Sequence, residues 1–96
     1  MKTYSLTSQA AVDFQDIWDY IASDNLSAAD RVIAEIAKAL QGLADRPGKG
    51  HVRQDLTHRK VRFWGVRSYL IVDRPDVEPL QVLRVIHGAR DLADLL

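Results

Sequence analysis

The segment "RVIHGARD", Arg84–Asp91, decides the fold, because an apolar run of the chain stops there beside a glycine. The run itself, "PLQVLRVIH", places apolar side chains on both faces of an extended chain, which is typical of a central strand. Gly88 breaks the pattern and marks the point where regular strand pairing stops. We predict that Val85 and Ile86 lie in the core. Three basic side chains of the segment then remain for function: Arg84, His87 and Arg90.

Two earlier segments predict further strands. "KVRFWGV" alternates, with Val61 and Phe63 on one face and Arg62 and Trp64 on the other. "RSYLIVDRP" is a second candidate strand, and short turns join both of them to the run described above. Together the three strands form an antiparallel meander.

The first half of the chain predicts a short strand, "KTYSL", followed by two helices. We expect Thr7 or Ser8 to begin the first helix and Ser27 to begin the second. Each helix has one apolar stripe, formed by Phe14, Ile17, Trp18 and Ile21 in the first and by Ala29, Val32, Ile33, Ile36, Leu40 and Leu43 in the second. The link between them is short, so the helices pair as an antiparallel hairpin that covers the sheet.

The predicted fold class is therefore α+β, in a single domain over residues 1–96. Its order is a short N-terminal strand, an antiparallel helical hairpin and a three-stranded antiparallel meander. A short C-terminal helical turn over Leu92, Leu95 and Leu96 completes it.

Composition limits the functional classes. There is no cysteine, which excludes disulfides and cysteine-ligated zinc. No segment has the apolar length of a signal peptide or a membrane span, so we expect a cytoplasmic protein with no membrane partner. The net charge is zero, but Lys49 to Arg67 carries six basic residues against Asp55. This basic segment suits phosphate or an acidic protein surface, and a plain solvated loop is the alternative.

Neither a metal site nor a cofactor is expected. His51, His58 and His87 lack the spacing of a metal-binding motif. The carboxylates Asp13, Asp16 and Asp19 are three residues apart in the first helix, and we predict that they form a solvent-facing side of it.

Metal-free RNA cleavage is the enzymatic option that the residue types leave open. It needs an acid, a base and cations for the developing phosphorane charge. Arg84, His87 and Arg90, with Arg62 on a neighbouring strand, are the candidate catalytic residues. In the alternative, Arg84 pairs with a local acid and His87 merely ends a strand.

Trp64 is the remaining candidate. Because it alternates with Val61 and Phe63, we expect it to point away from the helical hairpin. There it would stack on a base or anchor a partner protein. In the alternative, the basic segment folds over it.

With these motifs in place, the chain resembles the RelE/ParE superfamily of type II toxins, and within it the ParE branch. "LTSQAAVDFQDIWDYIA" resembles the first helix of ParE toxins, and "IAKALQGLADRPGKG" resembles the segment that ends in L-x-x-x-P-x-x-G. "YLIVDRP" and "VLRVIHGARD" resemble the last two strands of the family. The resemblance covers nearly the whole chain.

The resemblance implies a toxin that a cognate, ParD-like antitoxin neutralises by direct binding in a hetero-oligomer. For the ParE branch it implies binding and inhibition of DNA gyrase, which blocks replication. For the RelE branch it implies ribosome-dependent mRNA cleavage. RelE toxins carry a tyrosine near the C-terminus, whereas no tyrosine follows Tyr69 here. We therefore expect a gyrase inhibitor without catalytic residues.

The antitoxin is expected on the helical hairpin and on a sheet edge. The expected target-binding residues combine the basic segment with the C-terminal strand: Arg59, Arg62, Trp64, Arg67, Arg84, His87 and Arg90. A RelE-type ribonuclease that uses Arg62, Arg84, His87 and Arg90 is the alternative function, and direct nucleic-acid binding stays open.

Overall fold

The fold is a helical hairpin packed on one face of a four-stranded sheet. The computed structural model describes residues 3–53 and 59–95, with side chains up to Asp91. Its elements are, in chain order, β1 (Tyr4–Leu6), α1 (Ser8–Ala22), α2 (Leu26–Asp45), a 3₁₀ turn (Pro47–Lys49), β2 (Arg62–Val66), β3 (Tyr69–Arg74), β4 (Leu80–His87) and α3 (Gly88–Leu95). This order confirms the predicted α+β class. Within the described residues, no helix has the length and apolar character needed to cross a membrane.

The sheet has the strand order β1-β4-β3-β2, so β4 lies inside it as predicted. β4 pairs antiparallel with β3 and parallel with β1, whose Tyr4 lies opposite Leu80. A parallel pair needs a long crossover connection, and the helical hairpin is part of that connection. β2 pairs only with β3 among the named strands and therefore forms the far edge.

Side-chain caps fix where both helices begin. Thr7 Oγ1 accepts a hydrogen bond from Ala10 N at 3.1 Å and so begins α1. Asn25 Oδ1 accepts a hydrogen bond from Ala28 N at 2.9 Å, so α2 begins at Leu26. The prediction that Ser27 caps and so begins α2 is therefore wrong by two residues, because Asn25 supplies the cap.

The predicted helical stripes form the main core between the hairpin and the sheet. Its fully buried members come from both helices and from β3 and β4: Ala10, Ile17, Val32, Ile36, Leu40, Leu43, Ile71, Leu80, Val82 and Val85. A smaller cluster of Val61, Phe63 and Val72 lies on the other sheet face. Trp64 packs against the main core. The prediction that Trp64 points away from the hairpin is therefore wrong, although the alternation with Phe63 is correct.

β4 ends in direct continuity with α3. Gly88 begins the helix, and its backbone N–H donates to Ser68 O at 2.9 Å. Among the described residues no glycine has a positive φ, so the break at Gly88 does not depend on a left-handed backbone. The effect of this continuity is to place the strand residues Arg84 and His87 near the helix residues Arg90 and Asp91.

Candidate functional site

The first part of the site is a seam between α1 and β4, at Asp13 and Arg84. β1 ends at Leu6, so beyond Val82 the edge of β4 has no strand beside it on this side. Asp13 supplies the acceptor that a neighbouring strand would otherwise provide, because its Oδ2 accepts a hydrogen bond from Val85 N at 2.9 Å. The same carboxylate accepts from Arg84 Nε at 2.8 Å and from Arg84 Nη2 at 3.2 Å.

This seam overturns the solvent-facing prediction for Asp13. The residue is only 6% exposed, whereas Asp16 and Asp19 are exposed as predicted. It also identifies the acid that Arg84 pairs with, which lies on α1, 71 positions away in sequence. A register shift between β3 and β4 places Arg84 opposite Val72. Such bulges re-aim a side chain, and here Arg84 reaches the helix layer.

The second part is the β4–α3 corner, formed by His87, Arg90 and Asp91. Arg90 donates to Asp91 from Nε at 3.0 Å and from Nη2 at 3.2 Å. This hydrogen bonding from Arg90 holds the pKa of the Asp91 carboxyl below its ordinary value. Asp91 Oδ2 accepts a hydrogen bond from His87 N at 3.3 Å, and His87 Nδ1 accepts one from Arg90 N at 3.2 Å. The corner is therefore a closed network of strand and helix groups.

Two tyrosines flank the corner. The Tyr69 ring meets the His87 ring edge-on, with centroids 5.7 Å apart. The Arg90 guanidinium lies 5.8 Å from the centroid of the Tyr20 ring, within cation–π range. A cleft of about 400 Å³ runs between α1, β4 and α3, lined by Gln9, Asp13, Asp16, Ile17, Tyr20, Tyr69, Arg84, Val85, Ile86, His87, Arg90 and Asp91. This mixture of charges and exposed aromatic surface is typical of a protein-binding site.

Arg62 does not belong to this cleft. It lies on β2, which β3 separates from β4, so the prediction of a neighbouring strand is wrong. Its Nη1 donates to Gly50 O at 3.1 Å on the loop after α2. The structure therefore brings Arg84, His87 and Arg90 together and leaves Arg62 elsewhere.

Arg67 occupies the tip of the β2–β3 hairpin, next to Ser68. Its φ is 54°, which the first position of a tight two-residue hairpin turn requires and which is uncommon for a residue with a Cβ. Its guanidinium forms a bidentate ion pair with Glu35 of α2. Hydrogen bonding from Arg67 lowers the pKa of Glu35. Arg67 thus ties the hairpin tip to the helical layer.

Trp64 is covered by the basic segment, which was the alternative left open by the sequence. The His51 ring stacks on the indole with centroids 5.8 Å apart and an interplanar angle of 11°. Lys49 Nζ lies 4.6 Å from the indole centroid. His51 also exchanges two backbone hydrogen bonds with Phe63, each 2.8 Å long, which fix this cover on the edge of β2. Trp64 is therefore only partly accessible to a partner.

Arg59, the last of the predicted target-binding residues, lies on the other sheet face. Arg59 lines a pocket there with Lys60, Val61, Arg74 and Leu83. His58, one of the three histidines considered for metal binding, lies outside the described residues. Among the residues that are described, no group of three or more histidine, aspartate or glutamate side chains could hold a metal ion.

The sequence reasoning missed Asp73 altogether. It lies on β3, is 1% exposed, and neither carboxylate oxygen has a hydrogen-bond partner within the described chain. Burial raises the pKa of this carboxyl to about 6, against a smaller opposing effect of the Arg62 charge. The one available signal was an acidic residue directly after the apolar run "YLIV".

A family model described as "ParE toxin of type II toxin-antitoxin system, parDE" matches residues 4–92. No curated protein sequence matches the chain. Among solved structures, a chain of the "Chromosomal ParDE TA system from P. aeruginosa" is similar, with a TM-score of 0.74 and 21% identity. The alignment covers 91% of this chain and 96% of that one, which is a likeness of fold.

Proposed function

Because the chain belongs to the ParE toxin family of type II toxin–antitoxin systems, we propose that it binds and inhibits DNA gyrase and so blocks replication. We also propose that a ParD-like antitoxin neutralises it by direct binding, with both partners in the cytoplasm. On this proposal the toxin acts by binding and does not itself break a covalent bond.

The proposal of binding without catalysis rests on the ion pairs and hydrogen bonds that the charged groups of the seam and the corner already make. Stabilisation of a phosphorane needs cations that are free to meet the developing charge. Here the Arg84 guanidinium is held by Asp13, and the Arg90 guanidinium is held by Asp91. His87 Nδ1 already accepts a hydrogen bond from the backbone N–H of Arg90. Arg62, the fourth group of the ribonuclease hypothesis, lies on another part of the sheet.

A supercoiling assay with purified toxin and gyrase tests the proposal directly. We expect loss of supercoiling and accumulation of cleaved DNA held by gyrase. Arg90→Ala removes an exposed cation and its contact with Tyr20 at the mouth of the cleft, so we expect weaker inhibition. Arg46→Ala, which removes an exposed cation at the end of α2, is the matched control. If the toxin stops the growth of cells but leaves supercoiling by purified gyrase unimpaired, the proposal is contradicted.

The ribonuclease alternative keeps one specific observation in its favour. His87 is only partly buried and lines the same cleft as both arginines, so a substrate that displaced the carboxylates would meet all three groups. If this alternative holds, translating ribosomes treated with the toxin show cut mRNA, and His87→Ala abolishes the cutting. Intact mRNA in the presence of active toxin removes it.

The antitoxin has a candidate docking surface on the helical hairpin. A groove of about 440 Å³ lies between α1 and α2, lined by Ala11, Phe14, Gln15, Trp18 and Ile33. Nearby, Val12 is 50% exposed and Leu26 is 59% exposed, so the apolar surface extends beyond the groove. An amphipathic helix that orders on binding would cover such a surface with residues at i, i+3, i+4 and i+7.

Trp18 reports on this groove, because its indole lines it while Nε1 donates to Asp30 Oδ1 at 3.0 Å. In a Trp64→Phe background, we expect the antitoxin to shift the emission of Trp18. Ala11→Arg blocks the groove from an exposed position and should weaken binding at least tenfold by calorimetry. Ala34→Arg, at an exposed position of α2 away from the groove lining, is the matched control. Equal binding by both arginine variants would remove the groove from the interface.

A further inference from the structure

The sheet face opposite the helical hairpin carries a concentrated positive charge that neither the corner nor the antitoxin groove uses. We name it the outer basic pocket and define it by its lining residues: Arg59, Lys60, Val61, Arg74 and Leu83. Its volume is about 400 Å³, which is within the range of ligand-sized sites. Among the described residues, those that line it carry positive charge or are apolar.

The geometry follows from the strand register. Arg62 pairs with Asp73, so the residues just before β2 lie beside Arg74 at the end of β3. Val61 and Leu83 belong to the apolar cluster on this face and form the floor of the pocket. Arg59 and Lys60, both exposed, and the half-buried Arg74 supply its charge. Three cations therefore border one concave surface with an apolar floor.

Arg74 is held only loosely by an acid. Its Nη2 lies 3.5 Å from Asp76 Oδ2, and the side chains are 43% and 49% exposed. Ion pairs at such exposure contribute little, because water competes for both charges. Arg74 can therefore leave Asp76 for a better anion. This behaviour contrasts with Arg84, which is fixed by two bonds to a buried carboxylate.

We propose that the outer basic pocket binds the phosphate backbone of nucleic acid, so that the toxin makes its own contact with DNA beside its protein partner. Guanidinium groups match the geometry of phosphate oxygens, and a lysine adds a compact charge. The net charge of the chain is zero, so binding to DNA arises from this local cluster and not from overall attraction. The inference extends the proposed function but does not depend on gyrase.

Fluorescence polarisation of a labelled DNA duplex with the purified full-length toxin, without gyrase, tests the inference. If the three cations each neutralise one phosphate, log K against log salt has a slope of about −2 to −3. Affinity then falls roughly 40-fold between about 50 mM and 200 mM salt. The variants Arg59→Gln, Lys60→Gln and Arg74→Gln should each weaken binding about fivefold to tenfold and reduce the slope by about 1.

Two comparisons make the experiment specific. Asp76→Asn releases Arg74 from its acid, so we expect it to tighten binding to DNA. The triple variant Arg31→Gln, Lys38→Gln and Arg46→Gln removes the same charge from exposed positions of the helical layer and should bind like the wild type. If this control weakens binding as much as the combined variant Arg59→Gln, Lys60→Gln and Arg74→Gln, the pocket is not the site.

The remaining outcomes separate the inference from its competitor and from the proposed function. Polyglutamate that binds as tightly as DNA, with the same sensitivity to the pocket variants, overturns it in favour of an acidic protein partner. Absence of any DNA binding at low salt also overturns it. DNA binding together with normal supercoiling by gyrase leaves the inference standing and contradicts only the proposed target.

Discussion

Two buried aspartates, Asp13 and Asp73, lie in regions of the molecule that offer their carboxylates opposite surroundings: one provides hydrogen-bond donors, and the other, within the described residues, provides none. Asp13 is 6% exposed and accepts four hydrogen bonds, from Gln9, twice from Arg84, and from Val85 N. Asp73 is 1% exposed and has no hydrogen-bond partner among the described residues. The seam between α1 and β4 is thus electrostatically complete, whereas the side of the sheet near β2 contains an uncompensated acid.

Burial alone therefore does not decide whether a charged residue stabilises the fold. A buried carboxylate destabilises the fold unless hydrogen bonds and an opposite charge replace its water. Asp13 has both and completes the open edge of β4, so it is part of the scaffold. Asp73 has only the charge of Arg62 on the neighbouring strand, and burial raises its pKa to about 6 against this smaller opposing effect. Three substitutions test this contrast.

The largest expected effect is that of Asp13→Ala. This change removes the acceptor of Val85 N at the sheet edge and breaks the ion pair of Arg84 with α1. Because the Arg84 side chain is 32% exposed and can turn to water, we expect a loss of about 2–3 kcal/mol in the free energy of unfolding. Denaturation by urea measures it. Asp16→Ala, one turn away and exposed, should change stability by less than about 0.5 kcal/mol, and equal losses would contradict the seam.

The next effect is that of Asp73→Asn, which should stabilise the protein above pH 6. The pKa of Asp73 is higher in the folded state than in the unfolded chain, so the folded state binds more protons between pH 4 and pH 6. Stability therefore falls as the pH rises through this window and stays reduced above it. Asparagine has the same shape without the charge, but its amide is also buried, so we expect a gain of about 1–2 kcal/mol at pH 8.

Urea denaturation of both proteins at several pH values checks this expectation. The wild-type protein should lose stability between pH 4 and pH 6 relative to Asp73→Asn, and the two curves should run parallel above that range. Other carboxylates titrate in both proteins alike, so the difference between the curves isolates Asp73. A variant that is less stable than the wild type at pH 8 would mean that the carboxylate has a partner after all.

The architecture was predictable from the sequence because it follows from local periodicity. The stripe that includes Val32, Ile36 and Leu40 has the helical period, and the alternation of Phe63 and Trp64 has the period of a strand. Both periods survive in the structure. The cap of α2 was misplaced by two residues, because Asn25 and Ser27 are both good caps and only the folded chain selects between them.

The candidate site was less predictable because its contacts join distant parts of the chain. Arg84, His87 and Arg90 are close in sequence, and the turn from β4 into α3 keeps them together as expected. The pairing of Arg84 with Asp13 depends on how α1 lies against β4, which no local pattern contains. Trp64 was assigned to the wrong face because alternation defines two faces without telling which one the helices cover.

The smallest expected effect is that of Arg62→Gln on the pH dependence of stability. Arg62 lies opposite Asp73 in the β2–β3 register, and its charge opposes the rise in the Asp73 pKa. Without that charge the pKa of Asp73 rises further, so the upper end of the stability loss moves to higher pH.

Arg62→Gln also weakens the hydrogen bond to Gly50 O, but that loss is the same at every pH and does not shift the midpoint. Arg59→Gln removes a positive charge outside the β2–β3 pairing and is the matched control, for which we expect no shift of the midpoint. Equal midpoints for Arg62→Gln and Arg59→Gln would show that burial alone sets the pKa of Asp73, and that the cation opposite it contributes nothing to the contrast with Asp13.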